Sequence, residues 1–261
     1  MAGFLLAVEF LTVIPLRRAR VSAERLEHAL PFFPLVGALI GGAQATLDWL
    51  ATPLLARGVR DALLMVFAAL ITGLLHLDGF VDCCDALLGT RSVERRLAIL
   101  RDSRVGAYGA VGAALYCLTW FAALEALPAA ARPVALVTAP LLGRWSMVYA
   151  VARFPYARAA GLGSAFHARR RHLVAATCVT LGLLLALAVF APRTAATAIP
   201  LIVAIAALAM LCWAQWASRR LGGGLTGDTY GALNEIVEIV VLLSFPPLVH
   251  LLATRGLPLP L

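Results

Sequence analysis

The chain has 261 residues, 62% of them hydrophobic and only 14% charged, with a mean hydropathy of +0.89. A soluble domain needs about a quarter of its residues charged to cover its surface, so a soluble globular enzyme, a disordered tail and a disulfide scaffold are excluded. The solvent expected is lipid. The net charge of +8 rests on 22 basic residues, all arginine, and these sit between apolar runs rather than massed with aromatics. That placement suits membrane topology and phosphate contacts, and no nucleic-acid partner is expected. The five cysteines form no CxxC pair, which argues against both zinc and disulfides.

The first apolar run, residues 3–16, is interrupted by Glu9 and lacks a basic stretch before it, so it is not read as a signal peptide. It is also shorter than the roughly 20 residues a crossing needs. An interfacial helix is expected, ending at Pro15 and the arginines of 17–20. Seven runs near spanning length follow, at about 31–52, 61–77, 107–127, 133–151, 173–191, 197–217 and 232–252. A kink is expected at Pro246 and Pro247. Nothing alternates like a barrel strand, and no repeat or linker divides the chain. The fold expected is all-α: a polytopic membrane bundle of about seven transmembrane helices plus the short N-terminal helix, one domain over residues 1–261.

Loops on the N-terminal side hold sixteen arginines (17, 18, 20, 25, 91, 95, 96, 101, 104, 153, 158, 169, 170, 171, 219 and 220), and the opposite loops hold five (57, 60, 132, 193 and 255). Arg144 lies inside the fourth run. By the positive-inside rule the N-terminal side is expected in the cytoplasm.

The acids are few and unevenly placed. Asp78, Asp82 and Asp85 are spaced i, i+4, i+7 in HLDGFVDCCDALLG, which on a helix puts them within about 60° of one face. Three like charges there repel, and Mg²⁺, which takes one or two carboxylates plus phosphate oxygens, would offset them. The alternative is a solvated helix end, against which Leu77, Phe80, Val81 and Leu87 speak. His76 is read as catalytic or as a structural histidine at the interface.

Next comes a polar knot, Arg101, Asp102, Ser103 and Arg104, with Gly106 and Gly109 opening the third run. Arginine forks grip phosphate oxygens bidentately, and glycines at a helix start let backbone N–H groups approach an anion. Arg153 and Arg158, with Gly161 and Gly163, offer a further contact set. The late segment GGGLTGDTYGALNEIVEIV places Asp228 in a loop and Asn234, Glu235 and Glu238 within the seventh run. Ionisable groups at that depth cost roughly 2.5 kcal/mol or more each, so they are expected to face the bundle interior. They are expected to share one cavity with the early aspartates; a structural pairing with Arg144 is the alternative.

Together, FLTVIP, PFFPLVGALIG, GLLHLDGFVDCCDALLG, RRLAILRDSRVGAYGAVG, FPYARAAGLG and GDTYGALNEIVEI resemble the cobalamin synthase family, adenosylcobinamide-GDP ribazoletransferase. They fall in the family's order and cover most of the chain. The departures, a cysteine pair between the acids and Val13 within FLTVIP, remove no carboxylate. The resemblance implies that the hydroxyl of α-ribazole or its 5′-phosphate attacks adenosylcobinamide-GDP, releasing GMP, with Mg²⁺ required. It also implies a bacterial inner-membrane location and association with other cobalamin-pathway enzymes. A CDP-alcohol phosphotransferase is the runner-up, but its motif has an arginine and wider acid spacing that this chain lacks. A transporter would explain the intramembrane charges, yet it should carry them near the midplane within inverted repeats.

Overall fold

A computed structural model describes residues 2–16, 23–158 and 170–254, with side chains from residue 26 onward in the second segment. The readings that rest on Arg17, Arg18, Arg20, Arg25, Gly161, Gly163, Arg169 and Arg255 lie outside these described residues or side chains. Ten α-helices follow in order: α1 (Ala2–Leu11), α2 (Phe33–Ala51), α3 (Arg57–Thr72), α4 (Leu75–Leu87), α5 (Val93–Ile99), α6 (Ala107–Ala126), α7 (Arg132–Arg153), α8 (Arg170–Phe190), α9 (Arg193–Arg220) and α10 (Gly227–Thr254). Two short 3₁₀ turns lead into α2. Among the described residues the only β contact is a single bridge between Tyr156 and Leu225. In hydrocarbon the backbone must satisfy itself, and helices do so within one segment.

Among the described residues six helices are long and apolar enough to cross a membrane, or seven if α3 and α4 count as one bent span. The protein is thus a multi-pass helical bundle. The second expected run ends differently from its hydropathy: α3 stops at Thr72, Gly73 and Leu74 take left-handed backbone (φ 58° and 61°), and α4 leaves at 94° to α3. Hydropathy cannot see this elbow, because leucines lie on both sides of it. At the other end, α10 runs to Thr254 with Pro246 and Pro247 inside it.

α7 is the central helix, buried along most of its length. Against it packs α2, where Gly37 and Gly41, one turn apart, meet the α7 backbone at Pro140 and Leu136. Small residues spaced this way let two helix backbones touch, and packing of this kind holds helices together where lipid removes the hydrophobic drive. α8 and α9 lie outside, exposing Leu185, Val189, Phe190 and Leu208.

The chain order fixes two ends. The end of α2 and starts of α3 and α7 meet at one end, where Arg132 bridges Asp48 (2.8 Å) and Asp61, and Arg60 reaches Asp48 at 2.8 Å. At the opposite end the start of α6, the end of α7 and the start of α10 gather around α4.

Candidate active site

The α4–α10 crossing builds the site. A Cβ added at Gly79 would lie 2.7 Å from the carbonyl oxygen of Asp228, and one at Gly231 would lie 3.0 Å from that of His76. Two glycines, one per helix, therefore let the backbones meet and bring Asp78 beside Asp228. The loop between α9 and α10 makes its turn through Gly222 and Gly223 (φ 80° and 107°), conformations that side chains resist. Beyond it, Leu225 donates to the Pro155 carbonyl (2.9 Å) and Ala157 donates to that of Leu225 (2.8 Å). That pairing carries Arg158 across to Asp228, to which it donates at 2.7 Å while also donating to the Leu100 carbonyl at 2.8 Å. The Thr226 hydroxyl donates to the same Asp228 oxygen at 3.1 Å.

His76, Asp78, Arg158 and Asp228, with Tyr156 and Tyr230, line a cavity of about 230 Å³. His76 is 1% exposed, and neither ring nitrogen has a hydrogen-bond partner among the described residues. One turn along α4, Asp82 lies in the field of Asp78, Asp228 and Asp85, with Arg158 the opposing charge.

Asp85 does something other than its helical spacing suggests. It is 8% exposed, and its two oxygens accept from the backbone N–H groups of Gly106 (2.7 Å) and Gly109 (2.9 Å), at the first turn of α6. A Cβ at either glycine would run into this carboxylate. The amides expected to receive a substrate anion are thus already bound to an anion belonging to the chain. Arg91 donates to the Asp85 carbonyl and fixes the end of α4.

The polar knot divides. Asp102 and Arg104 pair with each other at 2.6 Å, and this holds the Asp102 carboxyl down at about 2. Arg101, Ser103 and Arg153 are exposed, and neither Arg101 nor Arg153 makes an ion pair among the described residues.

Glu235 and Glu238 do not join Asp78. They line a neighbouring cavity of about 320 Å³ with Arg144, Tyr116 and Gln44. Arg144 donates to Glu238, Tyr116 donates to Glu235, and the Asn234 amide donates to Glu238 at 2.8 Å and to Glu235 at 3.2 Å. The pairing with Arg144 therefore holds for Glu238, while Glu235 is held by Tyr116 and Asn234. Of Asp228, Asn234, Glu235 and Glu238, Asp228 alone shares a cavity with an early aspartate, Asp78.

The sequence family described as cobalamin-5-phosphate synthase matches residues 3–246. The chain belongs to the cobalamin-5-phosphate synthase family. Among curated relatives, the adenosylcobinamide-GDP ribazoletransferase of Roseiflexus sp. is 39% identical over 95% of this chain and 91% of its own. That of Desulfitobacterium hafniense is 39% identical over 94% and 96%, and that of Deinococcus radiodurans 38% over 91% and 82%. No solved structure matches the chain significantly.

In this member of the cobalamin-5-phosphate synthase family, sequence reasoning missed Tyr116 and Gln44 on the deeper cavity and Tyr156 and Tyr230 on the shallower one. Gln44 carried a readable signal, since an amide inside an apolar run must find a partner. Tyr116 and Tyr230 carried none, being ordinary within helices, and Tyr156 lies in the loop after α7.

Proposed function

We propose that this chain is an adenosylcobinamide-GDP ribazoletransferase of the phosphotransferase class, dependent on Mg²⁺. The ribazole hydroxyl attacks the cobinamide-linked phosphorus, a P–O bond forms, the bond to the GMP phosphate breaks, GMP leaves, and the hydroxyl proton passes to a base. The observation that carries this reading is the meeting of Asp78 on α4 with Asp228 on α10 around one cavity that also holds Arg158 and His76. Near full-length relatedness to proteins of that name supports the substrate pair.

The donor set fits Mg²⁺. Asp78, Asp82 and Asp228 bring three negative charges against the one of Arg158, an imbalance that a hard divalent cation bound by oxygen ligands offsets. They are not drawn within the 4.8 Å that would close around an ion, a spacing met among the described residues only by Glu27, His28 and His172. An open arrangement suits an ion that keeps part of its shell for substrate phosphate. When bound, the metal would neutralise charge on the diphosphate and its leaving group.

The chain's own groups do the rest. Arg158 is held by Asp228 and the Leu100 carbonyl with its Nε unpartnered, so it is oriented yet retains donors for a phosphate oxygen. Arg101 and Arg153, exposed at the same end, supply further positive charge. His76 lines the cavity with free ring nitrogens and is the group we assign to take the hydroxyl proton. Asp85 serves the site indirectly by holding the start of α6 against α4.

The sixteen-to-five arginine split supports a bacterial inner-membrane orientation with this end cytoplasmic. A cysteine placed at Ser103 and labelled from each side tests it; labelling from the periplasm refutes it. GMP release from adenosylcobinamide-GDP by purified protein in lipid, on adding α-ribazole and Mg²⁺, tests the reaction. No release with either ribazole form refutes it.

A further inference from the structure

The larger cavity has no part in the chemistry assigned above, yet it is built like a ligand site. Its volume of about 320 Å³ falls at the lower end of the ~300–1,000 Å³ of small-molecule pockets. Most of its wall is apolar, with Ile40, Met65, Ala69, Leu77 and Trp120 contributed by four different helices of the bundle. Two donors in it lack partners among the described residues: Gln44 Nε2 and Arg144 Nε, on side chains 3% and 2% exposed. A buried donor without an acceptor is costly, and a ligand that brings one relieves the cost.

We infer that this cavity seats the base of the ribazole acceptor, a flat bicyclic heteroaromatic whose free ring nitrogen accepts from Gln44 or Arg144. The inference rests on the reading of the reaction just given. Size excludes the corrin ring system of the other substrate. Charge excludes the diphosphate and disfavours any phosphate, because Glu235 and Glu238 set two carboxylates against the single guanidinium of Arg144. Of the neutral rings the two substrates carry, guanine and adenine bring several polar edges that a mostly apolar wall leaves unpaired, whereas an apolar bicycle with one acceptor matches the two free donors. The geometry also delivers the hydroxyl: Leu77 lines the larger cavity and Asp78, its neighbour in sequence, lines the aspartate cavity. The two cavities therefore border adjacent faces of the same helix, which places a base in the first next to the reaction site at the second.

Steady-state kinetics on purified protein in lipid tests this. Met65→Trp fills the cavity from its apolar wall, Gln44→Leu removes a donor, and Met65→Leu is the conservative control. The KM for α-ribazole should rise about tenfold or more in Met65→Trp and Gln44→Leu, a change of 1.4 kcal/mol. The KM for adenosylcobinamide-GDP should stay within about twofold, and Met65→Leu should behave as wild type. An unchanged ribazole KM in both variants, as when a lipid chain is the true occupant, overturns the inference, and so does an equal rise in both KM values. If the wild type releases no GMP, the reading of the reaction fails, and equilibrium dialysis of α-ribazole then decides the cavity alone. Binding lost in Met65→Trp upholds the inference. Binding absent from the wild type, or equal in both proteins, overturns it.

Discussion

Asp85→Asn separates a structural carboxylate from Asp78 and Asp82, the acids on the same helix face that we propose hold the metal. In the native protein both oxygens accept from α6, at 2.7 Å from Gly106 and 2.9 Å from Gly109. An amide of the same shape has one oxygen, so one bond survives and a donor is turned toward the other N–H. The lost charge-assisted bond is worth about 1.5–3 kcal/mol. Removing a negative charge from a helix N-terminus costs a further ~0.3–1 kcal/mol. Together these loosen the first turn of α6 by about 2–4 kcal/mol, and at 1.36 kcal/mol per decade the amide exchange of Gly106 and Gly109 should quicken roughly 30- to 1,000-fold. Hydrogen exchange in lipid nanodiscs measures this. Gly109→Ala should give the same signature, since its methyl meets the carboxylate. The Mg²⁺ concentration for half-maximal GMP release should move little in Asp85→Asn. If exchange at both glycines is unchanged while the Mg²⁺ requirement rises as it does in Asp82→Asn, Asp85 is a metal ligand and the argument is wrong.

That contrast shows where sequence reasoning reached and where it stopped. The all-helical membrane bundle was legible because lipid leaves few solutions, and composition names the solvent. The spacing of Asp78, Asp82 and Asp85 correctly put them on one helix. It could not show that the last of them meets the start of α6, because a shared face does not say what each turn of that face touches. The elbow at Gly73 and Leu74 was hidden inside a continuous apolar run. The approach of Arg158 to Asp228 depends on one isolated bridge, Tyr156 to Leu225, which leaves no strand pattern to read. Arg132 was counted as a topology charge, yet it is buried between Asp48 and Asp61. The signal for that cluster lay in the acids: two aspartates at span ends must each find a cation or stay neutral.

Asp78→Asn, Asp82→Asn and Asp228→Asn should each raise the Mg²⁺ requirement roughly 10- to 100-fold or abolish GMP release, and chelation of the wild type should stop turnover until Mg²⁺ is returned; two variants with native Mg²⁺ dependence would remove the metal assignment. The Asp102 carboxyl, held at about 2 chiefly by the Arg104 side chain, should titrate there by NMR and move back toward 3.8 in Arg104→Ala. Because its folded value is depressed, whatever it adds to stability is complete above the unfolded value and lost as pH falls through about 2, so it should impose no slope on activity near neutrality. Arg132→Met should destabilise the far end of the bundle by about 3–5 kcal/mol in thermal unfolding, because Asp48 and Asp61 lose their shared buried partner. Glu238→Gln is the sharpest test of the deep ion pair. Its partner Arg144 is 2% exposed and makes no other ion pair among the described residues, so the amide leaves a buried guanidinium with only the more distant Glu235 of the same cavity as counter-charge, at a cost of up to about 3–5 kcal/mol. Replacing both partners at once, Arg144→Met with Glu238→Leu, removes the stranded charge along with the pair and should recover most of that loss in unfolding. The double change should still impair ribazole binding, because Arg144 Nε goes with it. A double variant no more stable than Glu238→Gln would mean that the pair's cost is carried by packing rather than by charge.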